Sequence, residues 1–321
     1  MATNATIETL LNRRSIRKFK DEPIDDDATA TLETVAQHAA SSQFLNDWSA
    51  IRVSDPAIKA RLAEIGNQPY IATAPLLYVF VIDEHRNARI AQRKGIDPTS
   101  DEFHLKYSYR FTQAQNDAVL ALHAMETAAY SLGLGGVILG SLLNDIPALI
   151  DLLNLPEYTY PVLGLALGKP DQEPTLKPRM PRSMQFFDNT YPADADGMLE
   201  QLPDFDNKVH QYYDLRQADR PVDAFSDQIV SVSRQGVSGK TLLDKAALKV
   251  SSWISNAPAL PSVQNMHPPF GHWVAVFSPC SCALSDKSRA AGIDCIMAGL
   301  ERRGQETERG LDAHGMASIS A

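Results

Sequence analysis

Cysteine is missing from most of this chain: the only three, Cys280, Cys282 and Cys295, crowd near its end. That excludes a disulfide framework and a thiol nucleophile from everything before them. A surplus of positive charge is missing too. Lys and Arg number 30 against 39 Asp and Glu, a formal charge of −9, and the average field repels polyanions, so neither nucleic acid nor an anionic membrane is an expected partner. No run is long and apolar enough for a bilayer, which needs about 20 residues; the stretch 74–82 is among the most apolar. The N-terminus has no basic region followed by an apolar one, so a cytoplasmic location is expected. Metal-ligand spacing is also lacking, because the Cys-x-Cys at 280 and 282 has no matching second pair. No metal is expected, and redox or group-transfer chemistry in the main domain needs a reactive centre brought from outside.

What is present begins with Arg13-Arg14-Ser15-Ile16-Arg17-Lys18-Phe19, just behind a short apolar stretch, 7–11, that reads as a helix. In an extended segment alternate side chains share a face, so Arg13, Ser15 and Arg17 align while Ile16 turns to the core. The two arginines then stand about 13 Å apart, a span suited to a phosphorylated ligand that also carries an electron-poor ring. The alternative is a basic surface strand beside the acidic run 21–27.

Short aliphatic runs bounded by turn or cap signals predict strands at 50–53, 75–82, 136–139 and 162–167. Helical patterns fall at 27–40, 56–65, 113–132 and 145–153, with Asn144 as the expected cap of the last. The pattern AVLALHAMETAAYSL is almost apolar all round, which places it in the middle of the molecule or at a subunit interface. His123 within it is expected to be a core histidine. After Gly168 the prolines at 170, 174, 178 and 181 deny a helix and describe an extended arm. Helical patterns resume at 198–215 and 224–233. From about Trp253 the composition changes, so the chain divides into a main domain, 1–252, and an atypical tail, 253–321, which is either an extension that folds over the domain or a non-native, disordered segment.

The second informative element is Leu132-Gly133-Leu134-Gly135-Gly136-Val137-Ile138-Leu139-Gly140. A dinucleotide fingerprint follows a strand and opens a helix; this run does the reverse. Gly133 is explained as a helix cap. Gly135 and Gly136, entering a buried strand, allow close backbone approach to a flat ring such as a flavin.

Taken in order, Arg-Arg-Ser-Ile-Arg-Lys-Phe, Ser41-Ser42 before a strand, Leu-Gly-Leu-Gly-Gly after a long helix and Leu-Lys-Pro-Arg in the arm make residues 4–250 resemble the nitroreductase family, in particular its oxygen-insensitive, NADPH-dependent nitroreductase and flavin reductase branch. The resemblance implies an α+β fold, a three-layer α/β/α sandwich with a central mixed, mainly antiparallel sheet, domain-swapped arms and a dimeric core. It implies a homodimer with FMN as cofactor and NADPH as co-substrate, reducing nitroaromatics, quinones or flavins by a ping-pong hydride transfer. By the same resemblance Arg13, Arg14 and Ser15 grip the FMN phosphate with Lys177 and Arg179, and Arg17 lies by the ring, where it stabilises reduced flavin. Ser41 and Gln68 reach the ribityl chain and pyrimidine edge, and Gly133, Gly135 and Gly136 flank the ring. Arg216, with Arg220 nearby, matches the position associated with the NADPH phosphate. Gln43, where the branch often has serine, and Phe44 belong to the substrate pocket. A non-catalytic flavin sensor or store is the alternative, and it has no need of Arg216.

Overall fold

The computed structural model describes residues 2–214 and 224–234. Four strands, β1 (Trp48–Arg52), β2 (Leu76–Asp83), β3 (Gly135–Leu139) and β4 (Thr159–Gly168), form one sheet in the order β1-β2-β4-β3. All neighbours pair antiparallel. The parallel component that a mixed sheet requires is confined, among the described residues, to an isolated bridge between Ser15 and Gly136.

The pleat sorts β2 between two cores. Leu77, Val79 and Val81 face one way, against Leu62 of helix α3 (Pro56–Gly66) and Leu149 of α6 (Ile146–Leu152). Leu76, Tyr78 and Phe80 face the other, against Leu32 of α2 (Asp26–Gln37) and Leu122 and Met125 of α5 (Ser108–Ser131). The central strand therefore reads as an unbroken apolar run because both its faces are covered. The result is an α+β, three-layer sandwich.

Helix starts follow capping chemistry. Asn4, Asp25 and Asp55 cap α1 (Ala5–Leu11), α2 and α3 by accepting backbone N–H bonds. The cap of α6 is Asp145, not Asn144; the Asn144 amide instead donates to the carbonyl of Ile65 at 3.3 Å. One helix, α4 (Glu84–Arg93), was not anticipated, because its outward face is almost wholly polar and leaves little apolar period to read. The last helices described are α7 (Ala195–Met198), α8 (Leu202–Asp214) and α9 (Phe225–Arg234). Among the described residues no helix is long and apolar enough to cross a membrane.

Candidate active site

The segment after α1 leaves the helix extended, with Ile16 only 5% exposed, and its amide donates to the carbonyl of Gly136 at 2.9 Å. This lays the basic residues along the outer edge of β3. Gly135 and Gly136 are required here by packing: a Cβ on Gly135 would stand 2.6 Å from Ile16 Cγ1, and one on Gly136 2.6 Å from Leu167 Cδ2. Gly133 holds φ +74° in the C-terminal turn of α5, where Leu134 N–H reaches back to the carbonyl of Ala129 at 2.9 Å.

Arg13 is fixed from α5. Its Nη2 and Nε both donate to Glu126 Oε1, at 2.8 and 3.2 Å, and the Glu126 side chain is 1% exposed. Burial opposes the charge on Arg13, but hydrogen bonding to and attraction by Glu126 outweigh it and keep the guanidinium firmly ionised. One turn on, Tyr130 Oη lies 2.8 Å from the carbonyl of Arg14 and 3.0 Å from that of Gly136. Burial first, then the Glu126 charge, push this phenol above its ordinary range, so it remains a donor. His123 is not a core histidine: its side chain is 55% exposed, with Nδ1 3.5 Å from Glu126 Oε2. The helix at that position faces outward.

The arm beyond β4 returns to the same segment. Gln172 Oε1 accepts from the amides of Arg17 at 3.0 Å and Lys18 at 2.7 Å, and Arg14 Nη1 donates to the carbonyl of Pro174 at 2.9 Å. Lys177 lies three residues further, within about 11 Å of Pro174 along the chain, with its ammonium 5.4 Å from the Tyr213 ring centroid. Burial raises the pKa of the Tyr70 hydroxyl and the nearby Arg17 charge partly offsets this, while the hydroxyl itself donates to Gln68 Oε1. Among the described residues Arg17, Lys177 and Arg179 form no ion pair with a carboxylate, while Arg14 meets only the exposed Glu173 at 3.7 Å. A group of cations so short of counter-charge has the donor set for a dianionic phosphate with an electron-poor ring beside it. The residues fit FMN.

Ser41, Gln43 and Phe44 lie on another side, in the turn before β1. Ser41 Oγ accepts from the amide of Asn46 at 2.8 Å. Gln43, Phe44 and Asn46 hold φ of 53°, 58° and 47°, left-handed values that ordinary side chains resist. Ser42 N–H meets both carboxylate oxygens of Asp117 at 3.1 Å, Gln43 Oε1 accepts from Arg110 at 2.7 Å, and Asn87 donates to the carbonyl of Leu45 at 3.3 Å. Phe44 is left 85% exposed. Arg216 and Arg220 lie outside the described residues.

Sequence reasoning missed Glu126, Tyr130, Tyr70 and the acids around the Gln43 turn. One signal was available. Glu126 is the sole carboxylate of α5 after Asp117, set in an apolar stretch, and a buried charge demands a partner.

Residues 10–169 match the model of the nitroreductase family, and residues 177–245 that of the nitroreductase family C-terminal domain. An NADPH-dependent oxidoreductase of Staphylococcus aureus (strain USA300) is 35% identical over 221 residues, 67% of this chain and 85% of that protein. An FMN reductase (NADPH) of Bacillus subtilis (strain 168) is 34% identical over 233 residues, 72% of this chain and 92% of its own. The solved structure of NfrA1 nitroreductase from B. subtilis superposes with a TM-score of 0.71 at 32% identity, covering 76% of this chain and 98% of that one. With the same fold and matches along most of the described length, the chain belongs to the nitroreductase family.

Proposed function

We propose that the cationic group along β3 is an FMN site and that the protein is an FMN-dependent NADPH oxidoreductase acting on nitroaromatics, quinones or flavins. The observation that carries this reading is the Arg13–Glu126 pair, a partly buried guanidinium held by two nitrogens against a buried carboxylate, in the same segment as Arg17, which, like Lys177 and Arg179 of the arm, forms no ion pair with a carboxylate among the described residues. Its relatives bear the names NADPH-dependent oxidoreductase and FMN reductase (NADPH), in keeping with it.

Bound there, FMN would supply two-electron hydride chemistry between NADPH and the acceptor, in the ping-pong order we propose. The chain's own residues bind and orient. Arg13, Arg14 and Ser15, with Lys177 and Arg179 from the arm, grip the phosphate. Arg17, near the Tyr70 hydroxyl, places a cation where negative charge accumulates, which costs little reorganisation at the moment of transfer. Ser41 and Gln68 hold the polar edge, and Gln43 with Phe44 lines the acceptor side. Arg216, with Arg220, is assigned the NADPH phosphate, which favours an enzyme over a flavin store.

The working form is a cytoplasmic homodimer. Leu10 and Leu11 of α1 and Val119 and Leu120 of α5 are large apolar side chains left exposed in the single chain, an apolar face suited to a second copy. The purified protein is expected to be yellow and to release FMN. Its initial-rate lines should be parallel when NADPH and acceptor are both varied, and intersecting lines would demand two simultaneous sites.

A further inference from the structure

Asp47, immediately before β1, is wholly buried, and among the described residues neither of its carboxylate oxygens has a hydrogen-bond partner on any other residue. The group it does meet is another acid, Asp117 of α5, which is 2% exposed. Two ionised carboxylates in hydrogen-bonding contact inside a protein repel strongly, whereas a carboxyl and a carboxylate make a short, charge-assisted bond. We propose that Asp47 and Asp117 share one proton, Asp47 donating to Asp117, and that this pair fastens the 42–46 turn and thereby sets the acceptor side of the pocket.

The surroundings favour one proton between them. From α5, Arg110 is the nearby cation, but its Nη1 is committed to Gln43 and Gln113 at 2.7 and 2.8 Å and its Nε has no partner. From α4, Glu84 adds a third buried acid, with Oε2 bonded to Asn87 at 3.1 Å and Oε1 unpartnered. From the end of β2, Asp83 contributes further negative charge toward Glu84, and its amide donates to the carbonyl of Asp47 at 2.8 Å. Burial, then the charge of and bond to Asp117, push Asp47 up to about 7. With the proton present, Asp117 keeps its negative charge for the Ser42 amide. With the proton gone, two adjacent charges oppose each other, one on a rigid helix and one at the end of a turn with three strained left-handed residues. The turn is the part that yields.

The shared proton rests on the burial of both acids, on the unpartnered oxygens of Asp47 and on Asp117 as its neighbour, which also holds the Ser42 amide; only its effect on acceptor use rests on the reading of Gln43 and Phe44 as pocket residues. The test is hydrogen exchange of the peptide carrying residues 41–47 in the full-length, FMN-loaded protein on either side of about pH 7, expressed as protection relative to the unfolded chain. Protection should fall several-fold as pH rises in the parent and stay level in Asp47→Asn, which keeps a donor toward Asp117 and cannot ionise. The parent's infrared spectrum should also show a protonated-carboxyl band that disappears over the same range, with the part that is missing in Asp47→Asn belonging to the pair and the rest to Glu84. Protection that does not change with pH, an equal response in Asp47→Asn, or no such band would overturn the shared proton. Acceptor kcat/KM should fall with the loss of protection. Should protection respond while acceptor kcat/KM does not, the pocket reading of Gln43 and Phe44 fails and the shared proton stands.

Discussion

Arg13 and Glu126 are joined through two guanidinium nitrogens on one carboxylate oxygen, 2.8 and 3.2 Å away, across a sequence separation of 113 residues. The pair is the means by which a segment with a single bridge to the sheet is given a fixed outward-facing charge. Removing Arg13 leaves a buried carboxylate uncompensated, so Arg13→Ala should cost about 2–3 kcal/mol of stability as well as FMN affinity. Adding Glu126→Gln to that variant should restore part of the stability and none of the affinity. Urea unfolding of the apoprotein and FMN titration, run as a double-mutant cycle, check both halves.

Gly135→Ala places a methyl 2.6 Å from Ile16 Cγ1 and 2.9 Å from its Cβ. Neither atom is the far end of a flexible side chain, so the extended segment must move off β3. A loss of about 1–3 kcal/mol is expected, as for overpacked cores, with weaker FMN retention because Ser15 and Arg17 move with Ile16. Thermal unfolding with and without FMN measures the two effects.

Asp47 and Glu84 are both pushed up to about 7, chiefly by burial. In the unfolded chain these acids ionise near pH 4, so between about 4 and 7 the folded state binds more protons, and stability falls as pH rises through that window. The fall should be shallower in Asp47→Asn than in the parent. Denaturant midpoints at several pH values give the difference directly, and superimposable profiles would contradict it.

Arg216→Ala should raise KM for NADPH and leave kcat and the use of NADH nearly unchanged, the pattern of lost uniform binding. Arg220 is close enough in sequence to share the role, so the double variant should show the larger effect. An unchanged NADPH to NADH preference in both would place recognition of the phosphate elsewhere.

A chain ending at Ser252 should remain dimeric, yellow and active, since the matched C-terminal family region ends at residue 245. Sedimentation, absorbance and turnover of the shortened protein test this. Loss of flavin would assign the tail to the domain.

Local signals in the sequence were good guides where one element decides the outcome. The aliphatic runs of β2 and β4, the extended Arg-Ser-Arg spacing and the φ +74° of Gly133 all follow from period or backbone sterics. The pairings that complete the candidate site were not legible, because they join residues far apart: Arg13 to Glu126 and Ser42 to Asp117. Gly135 and Gly136 were noticed for an incomplete reason. Backbone approach is indeed close there, but what approaches within the chain is Ile16 and Leu167. His123 misled because an almost wholly apolar helix points to burial on most sides, whereas α5 exposes one stripe that includes His123, Val119 and Leu120.

Helix α5 carries both Asp117, which holds the Ser42 turn, and Glu126, which holds Arg13. At 1.5 Å and about 100° per residue, the two lie about 13.5 Å apart along the axis and on opposite sides of it. The helix thus works as a ruler, setting the distance between the phosphate end and the acceptor end of the proposed site. Inserting one alanine between the two acids would lengthen that distance only slightly but turn one fixing about 100° away from its target. Through α5, helical phase would determine whether the two ends of the proposed site address the same ligand.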